Sequence, residues 1–120
     1  MSYDIRLVDP VTGEPLEVET KHHMTGGTYQ VGGTTLLWLN VTFNYSIFYH
    51  RPEVLGENGI RSIYGMTGAE SIPILEKAAA ALGDDAVPDY WKATEGNAKR
   101  PLLQLAAMAK MRPDGIWKGD

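Results

Sequence analysis

The feature that most constrains the fold is the segment 34–45, TTLLWLNVTFNY, whose side chains fall into two alternating sets. Alternation with a period of two places successive side chains on opposite faces of a β-strand, and the β-branched and aromatic residues in the segment favour the same structure. The first set is Thr35, Leu37, Leu39, Val41, Phe43 and Tyr45, and the second is Leu36, Trp38, Asn40, Thr42 and Asn44. One long strand is therefore predicted.

The residues before this strand predict further strands. Residues 3–8 alternate, residues 9–15 carry Pro and Gly turn signals, and residues 16–20 alternate again, which together predict a β-hairpin. Residues 24–33, which contain two Gly-Gly pairs, are expected to form a third strand or an ordered loop. Residues 47–65 are expected to form a partly ordered loop that contains one helical turn.

A first helix is predicted over 67–82. Thr67 and Glu70 have the spacing of a capping box, in which each side chain bonds the backbone N–H of the other residue. Apolar residues then recur on one helical face until Gly83, a residue type that commonly ends helices. Pro73 is compatible with this helix because it lies near the first turn.

A second helix is predicted over about 95–111, with either Thr94 or Asn97 as its cap. A start at Asn97 leaves Pro101 in the first turn, whereas a start at Thr94 places it in the helix interior, where a proline costs about 3 kcal/mol. The later start is therefore preferred. After this helix, residues 116–117 are expected to pack back on the body of the protein.

The order of these elements predicts the fold class. Strands come first, helices follow, and βαβ alternation is absent, which is typical of an α+β protein. We expect a single-layer antiparallel sheet of three to five strands, formed by the N-terminal half and packed by two helices. A chain of 120 residues is expected to form one compact domain over 1–120.

Composition argues against several classes of function. The chain has no cysteine, which excludes disulfides, thiolate metal sites and cysteine nucleophiles. A net charge of −4 argues against binding to duplex nucleic acid. The sequence shows neither a long apolar run nor a signal-like N-terminus, so we expect no membrane span and a cytoplasmic location. No cofactor and no metal are predicted.

The glycine pairs invite a comparison with phosphate-binding loops. A P-loop requires a lysine after its glycines and a helix that follows them, whereas Gly26-Gly27 and Gly32-Gly33 precede predicted strands and no lysine follows. Turns that need positive φ angles are the favoured interpretation, and a loop that lines a ligand is the alternative. The stretch Gly65–Gly68 opens a helix, so it is the better candidate for an anion site, although a plain helix cap explains it equally well.

The polar face of the predicted long strand is a candidate binding surface. Asn40, Thr42 and Asn44 would place two amides and a hydroxyl in a row with Trp38 at the end, a set suited to hydrogen-bonding and stacking a planar polar ligand. The alternative interpretation is a solvated sheet face.

The histidines and one later segment supply the other candidates. His22 and His23 are adjacent and would point to opposite faces of a strand, which argues against a shared metal. His50 could act as a general base or have a structural role. Residues 89–100 combine acid, aromatic, amide and cationic side chains, which is typical either of a binding rim or of a loop that anchors itself in the core.

The chain also resembles a family through the motifs GGTY, GGTT, WLNVTFNYS, GIRSIYGMTGAESIPILEKA and DYWKATEGNAKRPLLQLAAMAKMRPDGIW. It is similar over nearly its whole length to a group of short, uncharacterised proteins of bacteria and of phages or prophages. This resemblance implies no activity, cofactor or catalytic residue. It implies a phage or prophage context, in which small accessory proteins often bind a host component. Pro101 departs from the helix-favouring residue of the family.

The function predicted from these observations is that of a non-enzymatic binding protein, for example one that acts on a host defence or regulatory protein. A protein partner or a homo-oligomer is expected. The alternatives are a domain that binds a small polar ligand or nucleotide, with or without hydrolysis, and a structural component of a virion. The predicted binding residues are Trp38, Asn40, Thr42, Asn44, Tyr45, His50, Tyr90, Trp91, Asn97 and Arg100.

Overall fold

The computed structural model describes residues 1–120, which form five β-strands and three α-helices. The strands are β1 (Ser2–Val8), β2 (Glu17–His22), β3 (Thr34–Leu36), β4 (Trp38–Thr42) and β5 (Ile116–Gly119). The helices are α1 (Ser46–Tyr49), α2 (Gly68–Ala80) and α3 (Glu95–Met111), and two 3₁₀ segments cover Phe43–Tyr45 and Gly59–Ile63. The predicted loop 47–65 thus contains two short helical segments.

The strands form two separate antiparallel sheets. In the larger sheet β1 lies between β4 and β5, so this sheet joins the two ends of the chain. The smaller sheet contains only β2 and β3. The prediction of a single sheet built from the N-terminal half is therefore wrong in two respects. The short run 116–117 carries too little alternation to indicate β5, which forms because Trp117 is fully buried.

The predicted hairpin forms its turn but not its ladder. The carboxylate of Asp9 accepts bonds from the N–H groups of Val11 (2.8 Å) and Thr12 (2.9 Å), as its place in the turn suggests. Beyond the turn, the N–H of Leu16 donates to the carbonyl of Leu7 at 2.9 Å, and β2 then departs to pair with β3. It departs because β4 and β5 already occupy both edges of β1.

The predicted long strand is divided at Leu37. This residue belongs to neither sheet: its N–H donates to the carbonyl of Leu16 at 3.2 Å, and its carbonyl accepts from the N–H of Leu7 at 3.0 Å. Strand β4 also ends earlier than predicted, because the hydroxyl of Thr42 accepts the N–H of Asn44 and starts a 3₁₀ turn. The alternation nevertheless identified the core face, since Leu37, Leu39 and Val41 are buried.

The capping box of the first predicted helix is confirmed. The hydroxyl of Thr67 accepts the N–H of Glu70 at 3.0 Å, and the carboxylate of Glu70 accepts the N–H of Thr67 at 2.9 Å. Helix α2 runs from Gly68 to Ala80 and ends before Gly83. Pro73 lies beyond the first turn of this helix.

The start of the second predicted helix differs from the preferred one. Thr94 is the cap of α3, because its hydroxyl accepts the N–H of Asn97 at 3.0 Å. The carboxamide of Asn97 is instead bonded to the loop that precedes the helix. Pro101 therefore lies inside the helix, as the rejected alternative implied.

The α+β class is confirmed. A cluster of 23 buried residues forms the core between the larger sheet and the helices α2 and α3. The two helices also pack against each other. No helix has both the length and the apolar character needed to cross a membrane.

Candidate functional site

One face of α3 borders a cavity of about 260 Å³. The residues on this face follow the spacing i, i+3, i+4, i+7 that brings side chains to the same side of a helix. They are Asn97, Arg100, Pro101 and Gln104. The remaining walls come from the segment after β2 and from two tyrosines, with His23, Thr25, Gly26, Tyr45 and Tyr90 as the lining residues.

The segment after β2 is held against β4 by a close backbone approach. Gly26 has φ of +63° and forms a bridge with Asn40. A Cβ atom at Gly26 would lie 1.7 Å from the carbonyl oxygen of Asn40, so only glycine fits at this position. The next N–H, that of Gly27, donates to the same carbonyl at 2.9 Å. A turn with positive φ and a position that lines a ligand site were alternative interpretations of these glycines. Gly26 has the positive φ and also lines the cavity.

The imidazole of His22 holds the backbone in place where this segment begins. Its Nδ1 accepts the N–H of Met24 at 3.1 Å, which leaves Nε2 to donate to the carbonyl of Leu36 at 2.6 Å. Because both ring nitrogens are engaged within the protein, His22 orients the chain rather than a ligand. The neighbouring His23 is exposed and reaches the cavity.

The aromatic wall consists of Tyr45 and Tyr90, whose ring centroids are 5.6 Å apart. The hydroxyl of Tyr45 donates to the carbonyl of Tyr90. The hydroxyl of Tyr90 accepts the N–H of Thr42 at 3.1 Å and donates to the carbonyl of Asn40 at 3.2 Å. Both phenols therefore offer the cavity mainly ring surface.

Burial favours the protonated, neutral form of these two phenols. It raises the pKa of Tyr45 to about 12, with a further contribution from Tyr90, and Arg100 opposes the rise. Burial also raises the pKa of Tyr90, although its bond from the backbone of Thr42 opposes this. Both groups are neutral at physiological pH.

The carboxamide of Asn97 holds the wall that carries Tyr90. Its oxygen accepts the N–H of Val87 at 2.9 Å, and its nitrogen donates to the carbonyls of Asp89 (2.9 Å) and Lys92 (3.0 Å). Only 5% of Asn97 is exposed, so its side chain is shielded from water. This one side chain thus bonds the segment 87–92 to α3 at three points.

The N-terminus of α3 has little capacity left for an anion. The N–H of Gly96 donates to the carboxylate of Asp85 at 2.9 Å, and the N–H of Asn97 donates to the hydroxyl of Thr94 at 3.0 Å. The start of α2 is similarly occupied: the N–H groups of Gly68 and Ala69 donate to backbone carbonyls of the loop 113–115. The interpretation of Gly65–Gly68 as an anion site is therefore wrong, and the plain cap is correct.

Arg100 and Gln104 are the polar side chains of α3 that remain free to meet a ligand. Arg100 is exposed and takes part in none of the four ion pairs of the protein. Gln104 is half-buried on the next turn of the same face. The cavity thus places one fixed positive charge and one amide opposite two aromatic rings.

The structure brings together four of the ten predicted binding residues. Tyr45, Tyr90, Asn97 and Arg100 line the cavity. Asn40 does not line the cavity: its backbone contacts Gly26, and its amide donates to the hydroxyl of Ser2 (2.7 Å) and to the carboxylate of Asp4 (2.9 Å).

The predicted polar row on β4 is not a continuous ligand surface. Thr42 is 1% exposed, and its hydroxyl caps the 3₁₀ turn. The amide of Asn44 donates to the carbonyl of Trp91 at 2.8 Å, which anchors the segment 87–92 a second time. Trp38 is half-buried opposite Arg6 and does not line the cavity. These side chains are used inside the protein because neighbouring loops cover the strand.

Two other predicted residues lie outside the cavity. The Nδ1 atom of His50 lies 2.8 Å from the carbonyl of Glu57, and its ring packs against Gly59. Trp91 packs edge-on against Tyr90 with ring centroids 4.8 Å apart and remains 53% exposed. The segment 89–91 is therefore both an anchor, through Tyr90, and an exposed rim, through Trp91.

Five lining residues were not predicted from the sequence. Pro101 and Gln104 could have been found, because they follow Asn97 by four and seven residues and so share its helix face. The remaining three carried no such signal, since their position depends on the contact between the segment after β2 and β4. They are His23, Thr25 and Gly26.

A second, wider depression of about 650 Å³ lies between β2 and the C-terminal end of α3. Its walls are the residues 17–22, most of which are exposed, together with Met111 and Arg112. It lacks the buried and mutually bonded side chains that shape the smaller cavity. We therefore assign the candidate site to the smaller one.

No protein-family model, curated protein or solved structure matches the chain, so the site is interpreted from its own geometry.

Proposed function

We propose that this protein is a non-enzymatic binding protein and that a small polar ligand occupies the cavity beside α3. The observation that carries the proposal is the arrangement of Arg100 and Gln104 opposite the rings of Tyr45 and Tyr90 around a preformed space. A cavity with aromatic walls and a few convergent polar groups is the usual form of a small-molecule site.

The volume of the cavity limits the size of the ligand. Water occupies roughly 30 Å³ per molecule in the liquid, so a cavity of about 260 Å³ corresponds to roughly nine waters. A ligand with about ten non-hydrogen atoms would fill such a space. This size suits a single ring or a short acid.

The two phenols of the walls are suited to binding rather than to proton transfer. Both keep their protons at neutral pH because burial raises the pKa of each. A general base must be unprotonated near the working pH so that it can accept a proton, and these hydroxyls do not suit that role. They stabilise the walls, and Arg100 supplies a permanent charge.

A thermal-shift screen of small acids, bases and uncharged ring compounds tests this proposal. A ligand that binds only the folded state raises the melting temperature by several degrees at saturating concentration. The variant Arg100→Gln should lose most of the shift caused by a charged ligand. The control Lys118→Gln removes one positive charge on β5, outside the cavity, and should keep the shift. A screen without any shift, repeated by calorimetry, contradicts the proposal.

A protein partner is the second candidate, and exposed apolar side chains favour it. Tyr29 is 86% exposed and Val31 is 85% exposed, on the same loop as Gly27, which lies next to Trp91. Apolar groups at such exposure are often used to bind other proteins. The partner expected from the family resemblance is a host component in a phage or prophage context, and a second copy or a virion protein is the alternative.

Light scattering and co-purification from host lysate test this second candidate. We expect a complex or an oligomer that is lost in the double variant Tyr29→Ser, Val31→Ser, while that variant keeps the melting temperature of the wild type. Purified phage particles would contain the protein if it were a structural component. A monomer that retains no protein from the lysate argues against a partner.

A further inference from the structure

One wall of the cavity contains a backbone carbonyl whose usual partner is missing. In an α-helix each carbonyl accepts the N–H of the residue four positions later. Pro101 has no N–H, so the carbonyl of Asn97 has no such donor. Asn97 and Pro101 are both buried, and a buried carbonyl without a donor is costly.

The next carbonyl along the helix, that of Ala98, does have a side-chain donor. The hydroxyl of Tyr49, fully buried, donates to the carbonyl of Ala98 at 2.7 Å. The carbonyl of Asn97 receives no comparable side-chain donor. A helical carbonyl points toward the residue four positions later, and Asn97 and Pro101 both line the cavity, so we infer that this acceptor lies at the cavity wall.

The cavity therefore presents two complementary groups on one helix face. The carbonyl of Asn97 can accept a hydrogen bond, and the guanidinium of Arg100 can bind an anionic group. Their positions in the sequence place them within one helical turn of each other. Tyr45 and Tyr90 add ring surface against which a flat ligand can pack.

We propose that the ligand is a small, flat organic acid that also carries an N–H or O–H donor. The acid group binds Arg100, the donor binds the carbonyl of Asn97, and the flat body lies against the tyrosines. This inference rests on the proposed function, because it names the chemical class of the ligand for the same cavity.

Calorimetric titration with matched probe compounds tests the proposed chemical class of the ligand. The probes are the three isomers of aminobenzoate, which have both groups, benzoate, which lacks the donor, and aniline, which lacks the acid. We expect the best aminobenzoate isomer to bind about tenfold more tightly than benzoate, the effect of one good hydrogen bond. Aniline should bind more weakly than either acid.

Two substitutions separate the roles of the two groups. Pro101→Ala restores the N–H that the Asn97 carbonyl lacks, so the preference for aminobenzoate over benzoate should disappear while benzoate still binds. Arg100→Gln should weaken both acids by about tenfold and leave aniline unchanged. Pro73→Ala, the same substitution in α2, is the matched control and should leave all the dissociation constants unchanged.

The outcomes distinguish this inference from the proposed function. If the aminobenzoates bind no better than benzoate, or if Pro101→Ala keeps the preference, the donor assignment is overturned and the cavity remains a binding site. If an uncharged compound binds and none of the acids does, the acid assignment is overturned in the same way. If no compound of any kind binds, both proposals fail.

Discussion

Helices α2 and α3 each begin after a threonine whose hydroxyl accepts the N–H three residues later, and each contains a proline beyond its first turn. The third helical residue differs between them. In α2 it is Glu70, which returns a bond to the cap of its own helix. In α3 it is Asn97, which bonds the preceding loop at three points. Similar local signals therefore start both helices, and one position decides whether the start also holds a wall of the site.

The two prolines differ in what surrounds them. Pro73 is exposed, and so is Ala69, the residue whose carbonyl lacks a donor for the same reason. Water can therefore hydrogen-bond the carbonyl of Ala69. Pro101 is buried and lines the cavity, so water has less access there, and in our proposal the matching carbonyl of Asn97 gains its partner from a ligand. The same missing N–H thus has a different environment in each helix.

The largest expected effect is that of Asn97→Ala. This variant leaves the N–H of Val87 without a partner and removes one of the two bonds that the carbonyls of Asp89 and Lys92 each accept. We therefore expect it to lower the free energy of unfolding by about 2–4 kcal/mol. The segment that carries Tyr90 should also become mobile. Urea titration measures the first effect, and hydrogen exchange at residues 87–92 measures the second.

Glu70→Ala is the matched change at the same helical position. The carboxylate of Glu70 is exposed and bonds only the cap of its own helix. Glu70→Ala should therefore lower the free energy of unfolding much less than Asn97→Ala does, and it should leave hydrogen exchange at 87–92 unchanged. Equal losses for the two variants would mean that Asn97 acts only as a helix-start residue.

The next effect concerns the two prolines. Pro73→Ala restores a helical hydrogen bond, and after the greater freedom of the unfolded chain is subtracted it should raise the free energy of unfolding by about 2 kcal/mol. Pro101→Ala should raise it by about 1 kcal/mol, because the buried ring is lost at the same time. Urea titration of both variants gives the comparison. A larger gain at Pro101 would indicate that the strain at that site is greater than the packing of its ring.

The smallest expected effect is on the stability of the protein at low pH. The bond from the backbone N–H of Thr67, helped by the Thr67 side chain, lowers the pKa of the Glu70 carboxyl. A group with a lowered pKa in the folded state stabilises the protein above its unfolded pKa, and this contribution is lost as pH falls. Wild type should therefore lose more stability than Glu70→Gln between about pH 6 and about pH 3. Parallel curves for the two proteins would show that the capping box contributes nothing through its charge.

Much of the fold could be predicted from local patterns. The capping box of Thr67 and Glu70 is confirmed because both partners lie within one helical turn, so no distant residue is involved. The core face of β4 is confirmed because its alternation directly reflects burial. The α+β class followed from the order of such segments.

The errors share one physical cause. The long strand breaks at Leu37 because its backbone bonds two different partners, Leu7 and Leu16, that are distant in sequence. The choice of Thr94 over Asn97 as the cap of α3 likewise depended on the loop that needed the Asn97 amide. Asn40 and Asn44 were predicted to face a ligand, yet residues distant in sequence use their amides.

The sequence by itself determined the two main helices, apart from the start of α3, and the core face of β4, because these depend on contacts within a few residues. The tertiary structure alone decided the strand pairing and the site. The cavity exists because Gly26 contacts Asn40 and because Asn97 holds the segment of Tyr90 in place. Whether a given polar group is free for a ligand is set by the neighbours that the fold brings to it, and local sequence carries no record of those neighbours.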